Sequence, residues 1–498
     1  MNTRLRLLVL ATAVFVVSAA CSGGSSPNMG SAAHDASTTV ADDAQASGST
    51  TTEIITPRIA SGLRNQYGYE FPAMQVDVPN GPFSDEILAD LDELWAGLGV
   101  SGVDIGTLNR LGSSGDIRLA WLLADLMRFT GFGETTDALV AGVGVLTESE
   151  LSEDPVFQRN PWLSITDLLI AWDVPAAPGY VDYKGRLFAI IESGWQPFFD
   201  DRDADIDWRL TSWGGVLIDD RAFGDTFPCA RGCIPALDNP VVTPASEGDW
   251  YPDDRLVFGV VVDGEARAYP KHQMEVHEMI NDTLGGRRIG VPYCTLCGSA
   301  QAYLTDSVPD EIEIPVLRTT GLLTRSNKVM YDLNTKSILD TFTGRALTGP
   351  LREARITLEQ ITVVTSTWGD WKATYPDTTI LAEDGGIGRT YRLDPLGDRD
   401  DNGAIFPIGD VDSRLGTQVQ VVGVQAPDET AIAFSVADLE AVLAIDDMVS
   451  FGGIVIVRNG GGFSAQLEDG TPVVSHQAFW FAWSQFNPDT LLWVAPDS

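Results

Sequence analysis

Along residues 57–224 apolar side chains recur every three or four positions, the spacing that lines one face of an α-helix. They fall at Ile87, Leu88, Leu91, Leu94, Trp95 and Leu98. Ser84 stands where an N-cap belongs, Asp85 and Glu86 occupy the first turn, and Gly97 and Gly99 follow, so the pattern predicts a helix there. A second stretch, 116–129, is apolar nearly all round and stops at Gly131, which predicts a helix buried by its neighbours. Paired short helices of this kind predict a small bundle or helical-repeat module over 57–224, structural or partner-binding in role and without a catalytic constellation.

From about residue 225 the period changes to two. Short β-branched and aromatic runs alternate with Gly, Pro, Asn and Asp, as at 256–262 before Asp263-Gly264, at 418–424, and at 453–457 before Asn459-Gly460. Trp368, Trp371, Pro376, Asp377 and Thr378 recur as Trp480, Trp483, Pro488, Asp489 and Thr490, and Ser299-Ala300-Gln301 recurs as Ser464-Ala465-Gln466. The expected fold is therefore α+β: a helical N-terminal module followed by a β-rich domain at 225–498, built from two related halves at about 254–382 and 417–494. Tryptophans three apart share one helix face, so core packing is the expectation for both pairs, ahead of an exposed platform for a glycan.

The N-terminus has another texture. Arg4 and Arg6 precede an apolar run at 7–17, too short to span a bilayer and laid out like a secretory signal over 1–20. Ser18, Ala19 and Ala20 lead to Cys21, which resembles a bacterial lipobox with Ser18 where Leu or Val is usual. Cys21 is thus expected to be lipidated, anchoring the exported chain to the outer face of a bacterial membrane, with 21–56, rich in Ser, Gly, Ala, Thr and Asp, as a flexible tether. Composition excludes one class of partner. Asp plus Glu number 70 against 32 Lys plus Arg, a net charge of −38, and nucleic acid needs a basic footprint.

The candidate chemistry lies between Cys229 and Cys297. Beyond Cys21 the chain has two close cysteine pairs, Cys229 with Cys233 and Cys294 with Cys297. Export favours disulfides. Cys294-Thr295-Leu296-Cys297-Gly298 also has the form of a metal knuckle, in which a tight turn aims two thiolates at one ion and glycine takes the left-handed backbone. Thiol redox chemistry is the third reading, weakened by strand-like flanks at 288–293 and 300–304 where a helix N-terminus would depress a thiol pKa. His277, one strand ahead of the knuckle, makes the metal reading more specific. Phosphate-binding, dinucleotide and serine-nucleophile motifs are missing from the sequence.

Ala268-Tyr269-Pro270, His277-Glu278, Asn281-Asp282, Tyr293-Cys294 to Cys297-Gly298, Gly321-Leu322-Leu323, Val329-Met330-Tyr331-Asp332, Gly344-Arg345-Ala346, Gly349-Pro350-Leu351 and the Trp368 to Thr378 run follow one another in order. Over about 226–498 this series resembles the bacterial domain-of-unknown-function family 3179, a kinship that implies no activity. Thr295 stands where that family usually has Pro, Leu339 where Trp is usual, and Cys229 with Cys233 are additions. The resemblance implies His277, Cys294 and Cys297 as a shared site and Cys229–Cys233 as a local disulfide; by their chemistry, two thiolates and one imidazole suit zinc or copper and leave the fourth position open.

Asp398, Asp400 and Asn402, with the Ala404 carbonyl and a Gly at position six, form the opening of a calcium loop, although Gly409 stands where a bidentate Glu is expected and Asp410 or Asp412 would have to substitute. Asp201, Asp203, Asp205 and Asp207 alternate likewise but lack the glycine. The expectation is a cell-surface lipoprotein of unknown biochemical function that binds a transition metal through His277, Cys294 and Cys297. An envelope binding or scaffolding module with structural disulfides, and a thiol-disulfide redox protein, are the alternatives. Whether it is an enzyme, and which protein or small molecule it meets, the sequence leaves open.

Overall fold

The computed structural model describes residues 63–98, 102–151, 154–397 and 403–495; Cys21, Asp398, Asp400 and Asn402 lie outside them. A helical N-terminal region precedes a β-rich region of five small sheets. Among the described residues no helix is long and apolar enough to cross a membrane.

The first helix, Asp85–Gly97, begins where its cap demands: the Ser84 hydroxyl accepts from the Ile87 backbone N–H at 3.3 Å. Ile87, Leu91 and Leu94 are buried, whereas Leu88 lies on the exposed side of the stripe. The apolar stretch at 116–129 divides into a 3₁₀ turn, Ile117–Leu119, and the helix Ala120–Met127, every residue of which is buried. Helices Ile105–Gly112, Glu134–Thr147, Pro161–Ala171 and Tyr180–Ile191 complete the larger elements of this region. Within it Asp125 holds Lys184 Nζ at 2.9 Å and the Tyr180 hydroxyl at 2.6 Å, a buried charge pair with its hydrogen bonds met.

No break in packing falls at residue 224. Strand Thr211–Trp213, inside the expected helical module, pairs with Leu317–Thr324 of the β-rich region, and one apolar core runs from Phe71 through Trp121, Trp195 and Trp213 to Leu322, Tyr331 and Phe406. Three residues are too few to show a period of two, so this strand was invisible to patterning.

The sheet that starts with Thr211–Trp213 continues through Leu317–Thr324, Asn327–Asp332 and Ile338–Leu339. Its register shifts between Thr319 and Leu323, where Gly321 has φ 76° and an added Cβ would meet the Val216 carbonyl at 2.2 Å. A second sheet is built on Met279–Leu284 and Arg287–Cys294, with the short strand Ser299–Ala300 folded back on the latter. A third runs Val364–Thr367, Leu256–Val262, Glu265–Pro270, Thr379–Leu381 and Val242–Pro244. The fourth runs Ser475–Phe479, Gln420–Gln425, Ala431–Ser435 and Leu491–Trp493, and the fifth is the meander from Met448–Phe451 to Pro472–Val473. The expected turn at Asp263-Gly264 is present with both φ angles positive, while the later hairpin turns one residue further on, at Gly460-Gly461. Trp368, Trp371, Trp480 and Trp483 are all buried, as core packing requires.

Candidate dithiol site

Cys294 is the last residue of strand Arg287–Cys294. Thr295–Cys297 then makes one 3₁₀ turn, Gly298 takes the left-handed conformation at φ 57°, and Ser299 pairs back against Cys294. This reversal is the one the Cys-x-x-Cys-Gly spacing predicts, and it puts the two sulfurs 2.8 Å apart, both buried and neither in a disulfide.

The hairpin that joins Leu317–Thr324 to Asn327–Asp332 closes over them. Its turn residues Arg325 and Ser326 have φ 46° and 68°, an unusual conformation for side-chain-bearing residues. The two sulfurs are treated differently. The Lys328 backbone N–H donates to Cys294 Sγ at 3.4 Å, whereas Cys297, whose one S–H proton is given to Cys294 Sγ at 2.8 Å, lies 3.3 Å from the Asn327 side-chain oxygen; the Ser326 carbonyl is 3.5 Å from Cys297 Sγ and 3.9 Å from Cys294 Sγ. Surrounding donors suit a thiolate, which can only accept, and surrounding acceptors suit a thiol, which has a proton to give. Burial alone would push Cys294 up, but the hydrogen bond from Cys297, with the backbone N–H and ammonium of Lys328, holds it below the ordinary thiol value. Burial, with the Cys294 charge beside it, pushes Cys297 well above that value.

Two charged groups complete the surroundings. Glu278 follows helix Lys271–His277 in the left-handed conformation. Its carbonyl accepts from Lys328 Nζ, its carboxylate lies 3.6 Å from the same nitrogen, and the Thr295 hydroxyl donates to Glu278 Oε1 at 3.2 Å. Lys328 is buried, and desolvation lowers its pKa against the raising effect of Glu278. A cavity of about 60 Å³ opens onto this group, lined by Glu278, Cys294, Thr295 and Lys328 and walled by Val216, Leu322 and Phe406. Phe406 is held from outside by Trp162 and by Arg128, whose guanidinium lies 5.6 Å from the Phe406 ring centre and 4.6 Å from that of Trp162.

His277 does not join the cysteines. Its Nδ1 donates to the Pro235 carbonyl at 2.7 Å, which fixes the tautomer, and its Nε2 accepts from the Tyr391 hydroxyl at 2.7 Å. Both ring nitrogens are thereby used, and burial depresses the pKa to about 4. Among the described residues only Asp219, Cys229 and Cys233 bring three potential metal ligands within 4.8 Å of one another, and those cysteines form a disulfide with each other. The expected three-ligand set of His277, Cys294 and Cys297 is therefore not assembled: the histidine serves the packing of 235 and 391, and the cysteines face Glu278 and Lys328.

Of the calcium candidates, Asp398, Asp400 and Asn402 lie outside the described residues. Ala404 has its N–H and carbonyl both bound by the Gln66 side chain at 2.6 Å, and the possible substitutes Asp410 and Asp412 pair with Arg325 and Arg414. Asp201, Asp205 and Asp207 likewise face Arg352, Arg345 and Arg209.

Sequence reasoning missed Glu278 and Lys328 as site residues. Each is next to a motif residue, Glu278 after His277 and Lys328 before Val329, but their convergence on Cys294 depends on a strand pairing that no local pattern encodes. No curated protein and no solved structure is matched by this chain. Residues 231–468, which contain the cysteine turn, Glu278 and Lys328, match the family model described as a protein of unknown function (DUF3179), and this part of the chain belongs to that family.

Proposed function

We propose that the chain is an exported thiol-disulfide redox protein in which Cys294 and Cys297 cycle between two thiols and one disulfide, Cys294 reacting first. The observation that carries this reading is the unequal treatment of the sulfurs: Cys294 accepts a backbone hydrogen bond and faces the cavity beside Lys328, while Cys297 donates and lies deeper. A thiolate is the attacking species and its neighbour the resolving thiol, so a dithiol needs this asymmetry to turn over. A shared zinc or copper ion is the second reading. It fits less well, because a tetrahedral ion about 2.3 Å from each sulfur would hold them about 3.8 Å apart, against 2.8 Å here.

The same proposal places the protein at the outer face of a bacterial membrane, held by Cys21 through the tether, on the strength of the charged and apolar N-terminal pattern. It also reads the β-rich region as two related halves. Four strands of the third sheet match the fourth sheet in order, with Thr379–Leu381 and Leu491–Trp493 as the corresponding parallel strands and Val242–Pro244 an antiparallel addition to the third, and in each a buried Trp lies over a strand glycine: Trp371 over Gly259, Trp483 over Gly423. Only the first half carries the cysteine turn.

The test is equilibration of the purified protein in thiol-disulfide buffers of graded potential, followed by trapping of thiols and peptide mapping. A single two-electron step confined to the peptide bearing Cys294 and Cys297, and lost in Cys294→Ser and Cys297→Ser, is expected. Two thiols that persist at every potential, or a metal retained in stoichiometric amount that blocks trapping, would overturn the redox reading.

A further inference from the structure

We infer that the oxidant taken by this dithiol is a small hydroperoxide, an inference that rests on the redox reading and names its substrate class. Three observations select it. Access comes first: Cys294 and Cys297 are 2% and 0% exposed, so the disulfide of a folded protein cannot reach either sulfur in line. Size comes second. The cavity beside Cys294 measures about 60 Å³, where one water needs roughly 10–15 Å³ on the same kind of measure. It holds a molecule of a few heavy atoms and has no room for a cystine peptide, whose exchange with the dithiol must therefore wait for the pocket to open and is slow.

The third observation is the lining. Val216, Leu322 and Phe406 form an apolar wall, while Lys328 Nζ supplies a donor at the Cys294 end, the Thr295 hydroxyl being committed to Glu278. Attack on an O–O bond needs a thiolate on one side and a donor for the departing oxygen on the other. A thiolate attacking a disulfide would instead need room for a second, bulky sulfur in line with the first.

The chemistry balances with these groups alone. Cys294 Sγ, as thiolate, attacks one peroxide oxygen; the O–O bond breaks, a sulfenic acid forms, and the departing oxygen leaves as hydroxide or alkoxide. Lys328 Nζ gives that oxygen a proton and later regains one from solvent. Cys297 then attacks the sulfenic sulfur: an S–S bond forms, the S–O bond breaks, and the released hydroxide takes the Cys297 proton as water. Two thiols are oxidised to one disulfide while a hydroperoxide is reduced to water plus water or alcohol.

The full chain is reduced, freed of reductant and exposed, with a metal chelator present, to hydrogen peroxide, to cumene hydroperoxide and to a protein disulfide in separate arms. Hydrogen peroxide should yield one Cys294–Cys297 disulfide per peroxide consumed, with much slower reaction of the bulky hydroperoxide and the protein disulfide. Cys297→Ser should stop at a dimedone-trappable sulfenic acid on Cys294, and Cys294→Ser should lose peroxide consumption. A dithiol that equilibrates with thiol-disulfide buffers yet ignores hydrogen peroxide, or one that takes the bulky substrates equally fast, overturns this inference and leaves the redox reading standing. A dithiol inert in every arm and in the buffers overturns both.

Discussion

Trp371 lies flat over Gly259, so close that a Cβ added at the glycine would come within 2.2 Å of the indole ring. The indole N–H is fixed by the Thr378 hydroxyl at 3.0 Å, so the ring cannot slide aside without losing a buried hydrogen bond. Trp483, Gly423 and Thr490 repeat the arrangement at 2.1 Å and 2.9 Å.

Gly259→Ala and Gly423→Ala should therefore each destabilise the fold by about 1–3 kcal/mol or more, the usual cost of overpacking. Denaturant midpoints check this. Midpoints that match the wild type would show that the rings are free to move.

Lys328→Met should cost about 2–4 kcal/mol, because it leaves the partly buried Glu278 carboxylate without its cation. It should also move the onset of Cys294 alkylation to higher pH, since Lys328 stabilises the thiolate. Lys328→Arg keeps the charge and should recover part of the second effect. A methionine variant with an unchanged alkylation profile would remove Lys328 from the site.

Three buried histidines should set the acid limit of stability. Burial lowers His272, His277 and His476 from 6.5 to about 4. The unfolded chain then binds protons before the folded one does. Their contribution is complete above pH 6.5 and is lost as pH falls toward 4, at up to about 1.4 kcal/mol per pH unit for each proton. Chemical denaturation at steps across that window measures the slope. His277→Gln should flatten it by one proton, and an unaltered slope would contradict the assignment.

Asp167 works in the opposite sense. Its Oδ1 accepts from the backbone N–H groups of Ile408 and Gly409, both at 2.7 Å, and burial raises its pKa to about 7. A carboxyl raised above its unfolded value favours the fold while protonated, so its contribution is full below pH 3.8 and is lost as pH rises through about 7. Asp167→Asn keeps an acceptor for the two N–H groups and avoids burying a charge. It should match the wild type in acid and exceed it near neutrality. Asp167→Ala should lose about 1–3 kcal/mol for the stranded donors. An asparagine variant less stable than wild type at pH 8 would refute this.

Much of the fold was legible because local chemistry agreed with the outcome. Ser84 capped its helix, the all-apolar 116–129 segment was buried, Asp263-Gly264 turned a hairpin, and Gly298 allowed the cysteine turn. The continuity of core across residue 224 was not, since it rests on a three-residue strand and on helix faces whose partners lie far along the chain. The site was half legible. Cysteine spacing exposed Cys294 and Cys297, yet spacing could not say that His277 would turn to Pro235 and Tyr391, or that Glu278 and Lys328 would take its place beside the sulfurs.

The most direct test of the central claim, a dithiol poised with Cys294 as the reactive member, is peptide-mapped alkylation of the reduced protein by a small reagent across pH. Cys294 should label first, with a midpoint below the ordinary thiol value of 9.0, while Cys297 stays protected well above it. Labelling of Cys297 first, or one shared profile centred on the ordinary value, would contradict it.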